Sequence, residues 1–285
     1  MKIGVSGASG HLGGAIVSEL SRRGGGHEIV SISRTPQSTA GSAQKRFGDY
    51  DKPESLAEAY AGLDRLVLIT THDGGSDRRR PQHAAAIDAA VKAGVKHIVL
   101  MSATGARQKT PALGTDYWHA EQHLITTAPT WTILRMNFYS EGFLPLAQAA
   151  RDQGVLIGLA ESRVAFVSRD DIAAAAAGIL TGEGHAGATY NATGPALLSG
   201  AERATLIAEI SGRPVSFRLI TEEQLRAGLT KAGLPAGAVA AVFSIHEAFA
   251  AGAFDILTSD VERLSGRAPK TLRDVLAGTL RSPTE

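Results

Sequence analysis

Three glycines at three-residue spacing follow the first apolar run of the chain. Residues 3–5 predict a short buried strand, and Gly7, Gly10 and Gly13 come directly after it, where an apolar helical pattern begins. In such a loop one glycine makes a tight turn, one lets the backbone approach phosphates, and one permits close helix packing. The free N–H groups and positive dipole end of the helix then face the anion. The motif predicts a pyrophosphate cradle; the alternative is a glycine-rich turn without a ligand.

The second predicted strand, residues 28–33, completes a βαβ unit and is followed by Arg34. Proteins that select NAD usually place a carboxylate at this point for the ribose 2′-hydroxyl, whereas an arginine accommodates the 2′-phosphate of NADP. A guanidinium can bind a phosphate through two parallel hydrogen bonds. The sequence therefore favours NADP(H), with NAD(H) as the alternative cofactor. If that preference is wrong, Arg34 is an ordinary solvated loop residue.

Strand and helix patterns alternate through the first half of the chain, with short connections. The apolar run at residues 65–70 is typical of a strand buried on both faces of a parallel sheet. Thr70 and Thr71 stand at its carboxyl end, which is the edge where doubly wound sheets bind ligands. The pattern predicts an α/β fold with a doubly wound parallel sheet.

The second half of the chain has fewer predicted strands and more helices. We expect residues 1–150 to form the nucleotide-binding domain and residues 164–194 to return to it. Residues 195–285, with part of 139–163, are expected to form a smaller, mainly helical C-terminal domain that acts as a substrate domain or lid.

Composition limits the classes of function. The chain has no cysteine, which excludes disulfides, thiolate metal sites and a cysteine nucleophile. Lys plus Arg is 29 and Asp plus Glu is 28, so nucleic acid is not an expected partner. Three consecutive arginines, residues 78–80, are predicted to lie in a solvated loop over residues 73–81. No apolar stretch approaches the roughly 20 residues that span a bilayer. A cytoplasmic location is the default expectation, and a homo-oligomer is left open.

Several motifs together resemble those of the NmrA-like branch of the atypical short-chain dehydrogenases. Within this branch the sequence is most similar to the NADPH-dependent quinone oxidoreductases and the triphenylmethane reductases. The glycine motif alone indicates only the superfamily, and the combination is more specific. The motifs are Gly7-Ala-Ser-Gly-His-Leu-Gly13, Ser31-Ile-Ser-Arg34, Gly48-Asp-Tyr50, Pro81-Gln-His83, Ala93-Gly-Val-Lys-His97, Leu134-Arg-Met-Asn137, Tyr139-Ser-Glu141 and Arg169-Asp-Asp171.

The resemblance implies a Rossmann-type N-terminal domain that binds NADP(H), and it assigns roles by position. Arg34 is expected to hold the 2′-phosphate, with Thr70 and Thr71 beside the ribose. Asn137 is expected at the nicotinamide, and Phe138 and Tyr139 at the substrate. The residues expected to surround the pyrophosphate are Gly7, Ser9, Gly10, His11, Leu12 and Gly13.

The predicted catalytic residues depart from the pattern of ordinary short-chain dehydrogenases. Those enzymes pair a serine with a Tyr-x-x-x-Lys motif, in which the lysine lowers the pKa of the tyrosine. Here Ser102 ends a predicted strand and Tyr117 begins the next helix, but Glu121 replaces the lysine. We expect this carboxylate to raise the pKa of Tyr117. Tyr117 is then either an orienting residue or part of the pocket wall.

The leading hypothesis is therefore direct hydride transfer from NADPH to a quinone or similar flat electrophile, because the cofactor carries most of that chemistry. The alternative is a non-catalytic protein that senses NADP(H) and regulates a partner, as NmrA does. A weaker alternative is a reductase or epimerase that acts on a sugar nucleotide or another carbonyl compound.

Two further groups of residues resemble sites but have simpler explanations. His119 and His123 flank Glu121 in the order His-x-Glu-x-His, which differs from the zinc motif His-Glu-x-x-His and lacks a third ligand. No metal is expected. Asp170 and Asp171 resemble a carboxylate pair, but helix capping explains them more simply.

Overall fold

The computed structural model describes residues 1–39, 44–71, 76–108, 113–233 and 235–280. This part of the chain contains nine β-strands: β1 (Lys2–Ser6), β2 (Glu28–Ser33), β3 (Gln44–Phe47), β4 (Arg65–Ile69), β5 (His97–Ala103), β6 (Trp131–Met136), β7 (Val155–Gly158), β8 (Ala188–Ala192) and β9 (Ser216–Leu219). The same residues form eleven α-helices: α1 (His11–Arg23), α2 (Glu54–Tyr60), α3 (Ser76–Lys92), α4 (Leu113–Thr127), α5 (Ser140–Gln153), α6 (Arg169–Thr181), α7 (Gly200–Ser211), α8 (Glu222–Lys231), α9 (Ala236–Ala250), α10 (Asp260–Ser265) and α11 (Leu272–Leu280).

The chain forms two compact units. The first unit comprises Met1–Met136, Arg169–Ala192 and Ser259–Ala268. The second comprises Asn137–Ser168, Thr193–Thr258 and Pro269–Glu285.

The first unit is built on a seven-stranded sheet with the order β3-β2-β1-β4-β5-β6-β8, in which every neighbouring pair is parallel. Strands β1, β4 and β5 consist largely of fully buried residues, as expected when helices cover both faces of a sheet. The strand order reverses between β1 and β4, and ligands of doubly wound sheets bind at such a reversal. The predicted doubly wound parallel sheet is confirmed.

Helix α3 corrects one prediction. Residues 73–81 were expected to form a loop, but α3 begins at Ser76, and residues 73–75 lie outside the described residues. The glycine pair and Pro81 suggested irregular structure. However, Arg79 and Arg80 both bind the buried Asp116 on α4, and this tertiary contact fixes the start of the helix. Local propensity is a weak guide where such contacts exist.

Residues 259–268 also differ from the predicted division into domains, since they belong to the first unit. Helix α6 is buried almost throughout, and α10 packs on it. A Cβ atom on Gly178 would overlap the carbonyl oxygen of Leu264, so only glycine allows this approach. The sequence had assigned α10 to the C-terminal domain because a six-residue helix has no clear periodic pattern.

The second unit is mainly helical and contains the two-stranded parallel pair β7–β9. Its core includes Phe143, Phe166, Phe249, Ile207 and Leu276. Helix α5 and strand β7 were not predicted, and residues 137–150 lie in this unit rather than in the first. The assignment of a nucleotide-binding domain and a substrate domain stays a prediction. No helix in the described residues is long and apolar enough to cross a membrane.

Candidate active site

The glycine loop lies at the carboxyl end of β1, where the strand order reverses. Gly7 has φ of 89°, a backbone conformation that favours glycine, and a Cβ atom there would lie 3.2 Å from Cβ of Ile69 on β4. Its N–H donates to the carbonyl oxygen of Ile32 at 2.9 Å. The turn is thus anchored to β2 and closely packed on β4.

Helix α1 begins directly after this turn, and its first N–H groups have no side-chain cap. Gly10 is the N-cap residue and makes no side-chain cap bond, and the first turn contains no acidic residue. A Cβ atom on Gly13 would overlap the carbonyl oxygen of Gly7, so the helix starts in close contact with the loop. Ser9, Gly10 and His11 are exposed, whereas Leu12 and Gly13 are buried. An exposed helix start without a cap fits a pyrophosphate, because the helix dipole and free donors favour an anion.

Arg34 is exposed at the end of β2. The nearby turn after β3 carries Asp51, and the positive charge of Arg34 contributes, after that of Arg78, to the lowered pKa of this carboxyl. Asp51 itself is bound by Arg78 and Gln82 on α3. The position of Arg34 is consistent with contact to a 2′-phosphate, which stays a prediction.

Thr70 and Thr71 follow β4 and are held by different partners. Thr70 donates its hydroxyl to the carbonyl oxygen of Met101 at 3.0 Å. Thr71 donates its hydroxyl to Oε1 of Gln82 at 2.7 Å and its backbone N–H to Nε2 of His83 at 3.0 Å. Burial lowers the pKa of His83 to about 4, so its ring is neutral at pH 7. The Pro81-Gln-His83 motif was recognised in the sequence, but its role in fixing Thr71 was not.

Tyr117 lies on α4 and is half-buried, with its phenol hydrogen-bonded to the Thr70 hydroxyl. Burial is the main cause that raises the pKa of Tyr117, and the charge of Asp116 raises it further, while the Thr70 bond and Arg79 oppose the rise. The phenol is therefore protonated at neutral pH. The pKa is raised, as expected, but the causes are burial and Asp116 rather than Glu121, whose carboxylate binds Ser102 and Arg135.

Glu121 instead binds Ser102 and Arg135. The Ser102 hydroxyl donates to Oε1 of Glu121 at 2.6 Å, and both side chains are buried. Arg135 on β6 donates from Nε and Nη2 to the two carboxylate oxygens at 2.8 and 2.6 Å. The hydroxyl proton of Ser102 is thus directed into the protein, an arrangement that does not favour the predicted catalytic role.

A buried charge cluster beside Tyr117 was not predicted. The Asp116 carboxylate is 1% exposed and accepts from Nε and Nη2 of Arg79 at 2.9 and 2.6 Å and from Nε of Arg80 at 2.7 Å. The guanidinium groups of Arg79 and Arg80 therefore both donate hydrogen bonds to the carboxylate of Asp116. The only signal in the sequence was the arginine triplet itself, which was interpreted as solvated.

The predicted nicotinamide and substrate residues begin the second unit. Asn137 is buried, and its amide donates to the carbonyl oxygens of Phe254 and Ile256 at 3.2 and 3.3 Å, while its Oδ1 accepts from the N–H of Phe138 at 2.7 Å. The ring of Phe138 makes edge-on contacts with three phenylalanine rings. Tyr139 is half-buried at the N-cap of α5. Asn137 therefore fixes the segment that carries Phe254.

The remaining polar candidates have structural partners. His123 Nε2 lies 2.7 Å from Oδ1 of Asp88, and His119 is exposed with its ring against Trp118. Asp171 is buried and accepts from Arg267 at 2.7 Å. Among the described residues, no group of three His, Cys, Asp or Glu side chains is arranged to hold a metal ion.

Comparison with known proteins agrees with this geometry. Residues 7–183 match the model of a family described as NAD(P)H-binding. The chain belongs to this family. It is 33% identical to quinone oxidoreductase 2 of Escherichia coli over 240 residues, which cover 82% of this chain and 83% of that protein. It is 31% identical to the NAD(P)H azoreductase of Xenophilus azovorans over 252 residues, 86% of each chain.

A solved structure is similar over almost the whole length. The Citrobacter sp. triphenylmethane reductase complexed with NADP(H) superposes with a TM-score of 0.90 and 28% identity, and 98% of this chain and 100% of that chain are covered. The resemblance inferred from the motifs is confirmed, as is the expectation of a nicotinamide dinucleotide cofactor.

Proposed function

We propose that this NAD(P)H-dependent oxidoreductase uses NADPH to reduce quinones or similar flat electrophiles. The observation that carries the proposal is the bond from Ser102 to Glu121. Ordinary ketone reduction needs a serine hydroxyl that is free to polarise the substrate carbonyl, together with a tyrosine of lowered pKa. Here the hydroxyl is committed and the pKa of Tyr117 is raised. Quinone reduction does not need a proton donor from the protein, because water can protonate the product. Relatives named for quinone and azo reduction support the proposal.

Residues of the first unit would hold most of the cofactor. The start of α1 and the glycine loop would bind the pyrophosphate through backbone N–H groups. Arg34 would bind the 2′-phosphate, with Thr70 and Thr71 at the ribose. Asn137 is proposed for the nicotinamide, where its own hydrogen bonds would keep the neighbouring Phe138 in place.

The bound nicotinamide supplies the hydride. One hydride and one proton convert a quinone to a hydroquinone, and water can provide the proton. Tyr117 would orient the substrate through its protonated phenol rather than act as a base. Phe138 and Tyr139 are proposed to contact the substrate, because aromatic side chains pack well on flat rings.

We also propose a cellular location and an assembly state for this protein. A cytoplasmic location suits an enzyme that depends on NADPH. Self-association into a homo-oligomer is the remaining expectation, and size-exclusion chromatography with light scattering would measure it.

Two assays test the proposed function. NADPH oxidation is followed with a panel of quinones, and azo and triphenylmethane dyes serve as comparison electrophiles. Turnover with quinones above the buffer rate supports the proposal. In the second assay, Arg34→Ala is expected to weaken NADPH binding much more than NADH binding. Equal losses would show that Arg34 does not read the 2′-phosphate.

A further inference from the structure

A hydrogen-bonded network in the first unit joins the end of β4 to the turn after β3. Thr71 donates its hydroxyl to Oε1 of Gln82 at 2.7 Å, and Nε2 of Gln82 donates to Oδ1 of Asp51 at 2.7 Å. Arg78, one turn before Gln82 on α3, binds both oxygens of Asp51, from Nε at 3.2 Å and from Nη2 at 2.5 Å. The first two turns of α3 therefore hold Asp51.

Asp51 lies beside the end of β2, where Arg34 stands. Strands β2 and β3 are paired up to Ser33 and Phe47, and the N–H of Gly48 donates to the carbonyl oxygen of Ser33 at 3.1 Å. The turn that follows carries Asp51, whose own N–H donates to Oδ1 of Asp49 at 3.1 Å. Connectivity and register thus bring a carboxylate close to the predicted 2′-phosphate site.

This carboxylate would oppose NADPH if it were unpaired. It would repel the two negative charges of a 2′-phosphate, and it would compete with that phosphate for the guanidinium of Arg34. The pair with Arg78 removes both effects. The side chains of Arg78 and Asp51 are partly exposed, so their ion pair adds little to the stability of the fold. Its effect is to neutralise the negative charge of Asp51 near Arg34.

We propose that Arg78 is a specificity-determining residue for NADPH, because it neutralises Asp51 and leaves Arg34 available for the 2′-phosphate. The inference rests on the proposed role of Arg34. The electrostatic coupling of Arg34 to Asp51 supports it, since Arg34 contributes to the lowered pKa of that carboxyl.

The test is calorimetric titration of the wild-type protein and its variants with NADPH and NADH, which reports binding without turnover. Arg78→Ala is expected to weaken NADPH binding about fivefold and to leave NADH binding nearly unchanged, as a partly screened charge at this range would. Asp51→Asn combined with Arg78→Ala is expected to restore NADPH binding. Arg78→Lys is expected to keep it, because the charge is retained.

The matched control is Arg22→Ala, which removes an exposed arginine paired with Glu19 on α1. It is expected to change neither affinity. If the double variant stays as weak as Arg78→Ala, Arg78 contacts the phosphate itself and the inference is wrong. If Arg78→Ala weakens the binding of NADPH and NADH equally, or weakens the binding of neither, the inference is also wrong. The loss of selectivity for NADPH over NADH in Arg34→Ala is measured separately. The role of Arg34 and the role of Arg78 can therefore be contradicted independently.

Discussion

The Ser102 hydroxyl donates a hydrogen bond of 2.6 Å to Oε1 of Glu121, at a strand end where a catalytic serine was expected. Glu121 stands in turn where a catalytic lysine was expected, and Arg135 holds it through two bonds. The serine expected by the pattern of ordinary short-chain dehydrogenases therefore binds the residue that replaces the lysine. Their role in the structure is to join α4 to β5 and β6.

Ser102→Ala tests whether this hydroxyl takes part in the reaction. We expect kcat for quinone reduction to change less than about threefold, whereas loss of a general acid–base group costs roughly 10²–10⁴-fold. The free energy of unfolding should fall by about 1–2 kcal/mol, because Glu121 loses a buried donor. Steady-state kinetics and denaturant unfolding measure the two effects, and a large loss of kcat without a loss of stability would restore Ser102 as a catalytic residue.

Tyr117→Phe tests the tyrosine in the same way. The variant keeps the ring but removes the phenol that is bonded to Thr70. We expect KM for the quinone to rise and kcat to fall less than about tenfold, since an orienting group supplies less than a proton donor. A loss of kcat beyond about 100-fold, with NADPH affinity unchanged, would identify Tyr117 as the proton donor.

Gly13→Ala should disrupt the cradle, and Gly14→Ala is its matched control. A Cβ atom on Gly13 would overlap the carbonyl oxygen of Gly7, whereas one on Gly14 would lie 3.7 Å from the carbonyl oxygen of Ala8. We expect Gly13→Ala to lose NADPH affinity and stability together. Gly14→Ala should raise the free energy of unfolding by about 0.5–1 kcal/mol, because alanine stabilises a helix more than glycine does. Calorimetry and thermal unfolding measure both, and equal behaviour of the two variants would contradict the packing described at the loop.

The buried His83 should make the protein less stable in acid. Its pKa is about 4 in the folded chain and 6.5 in the reference state, so the unfolded chain binds more protons between these values. Stability contributed by the neutral ring is complete at pH 7 and is lost as the pH falls through this window. The loss amounts to about 2 kcal/mol by pH 5.

His83→Gln should remove this part of the pH dependence, because a glutamine oxygen can accept the N–H of Thr71 without titrating. Denaturant unfolding at pH 7 and pH 5 measures the difference between variant and wild type. His119→Gln is the control, since His119 is exposed. If wild type and His83→Gln lose the same free energy on acidification, the burial assigned to His83 is wrong.

Local patterns predicted the elements that form the cofactor cradle. The spacing of the glycines and the uncapped start of α1 involve residues within a few positions of each other, so the sequence shows them directly. Strand β4 was likewise visible as a continuous apolar run. Such features need no knowledge of distant residues.

Contacts between distant residues were not predictable in the same way. Arg79 and Asp116 are 37 positions apart, and nothing near the arginine triplet shows that one of its members is buried. Glu121 lies one turn after Tyr117 and was therefore paired with it, but its partners come from two strands of the sheet. Helix α5 was missed because its pattern is interrupted by Pro145.

In the proposed function, hydride passes from NADPH to a quinone, and the chain supplies no proton relay of its own. The most direct measurement compares NADPH with NADPH stereospecifically deuterated at C4 of the nicotinamide, at saturating quinone and in single turnover. We predict oxidation well above the buffer rate, a slower rate with one deuterated face only, and nearly the same isotope effect in Ser102→Ala. Tight NADPH binding without any oxidation of the cofactor would contradict the claim and favour a protein that senses NADP(H).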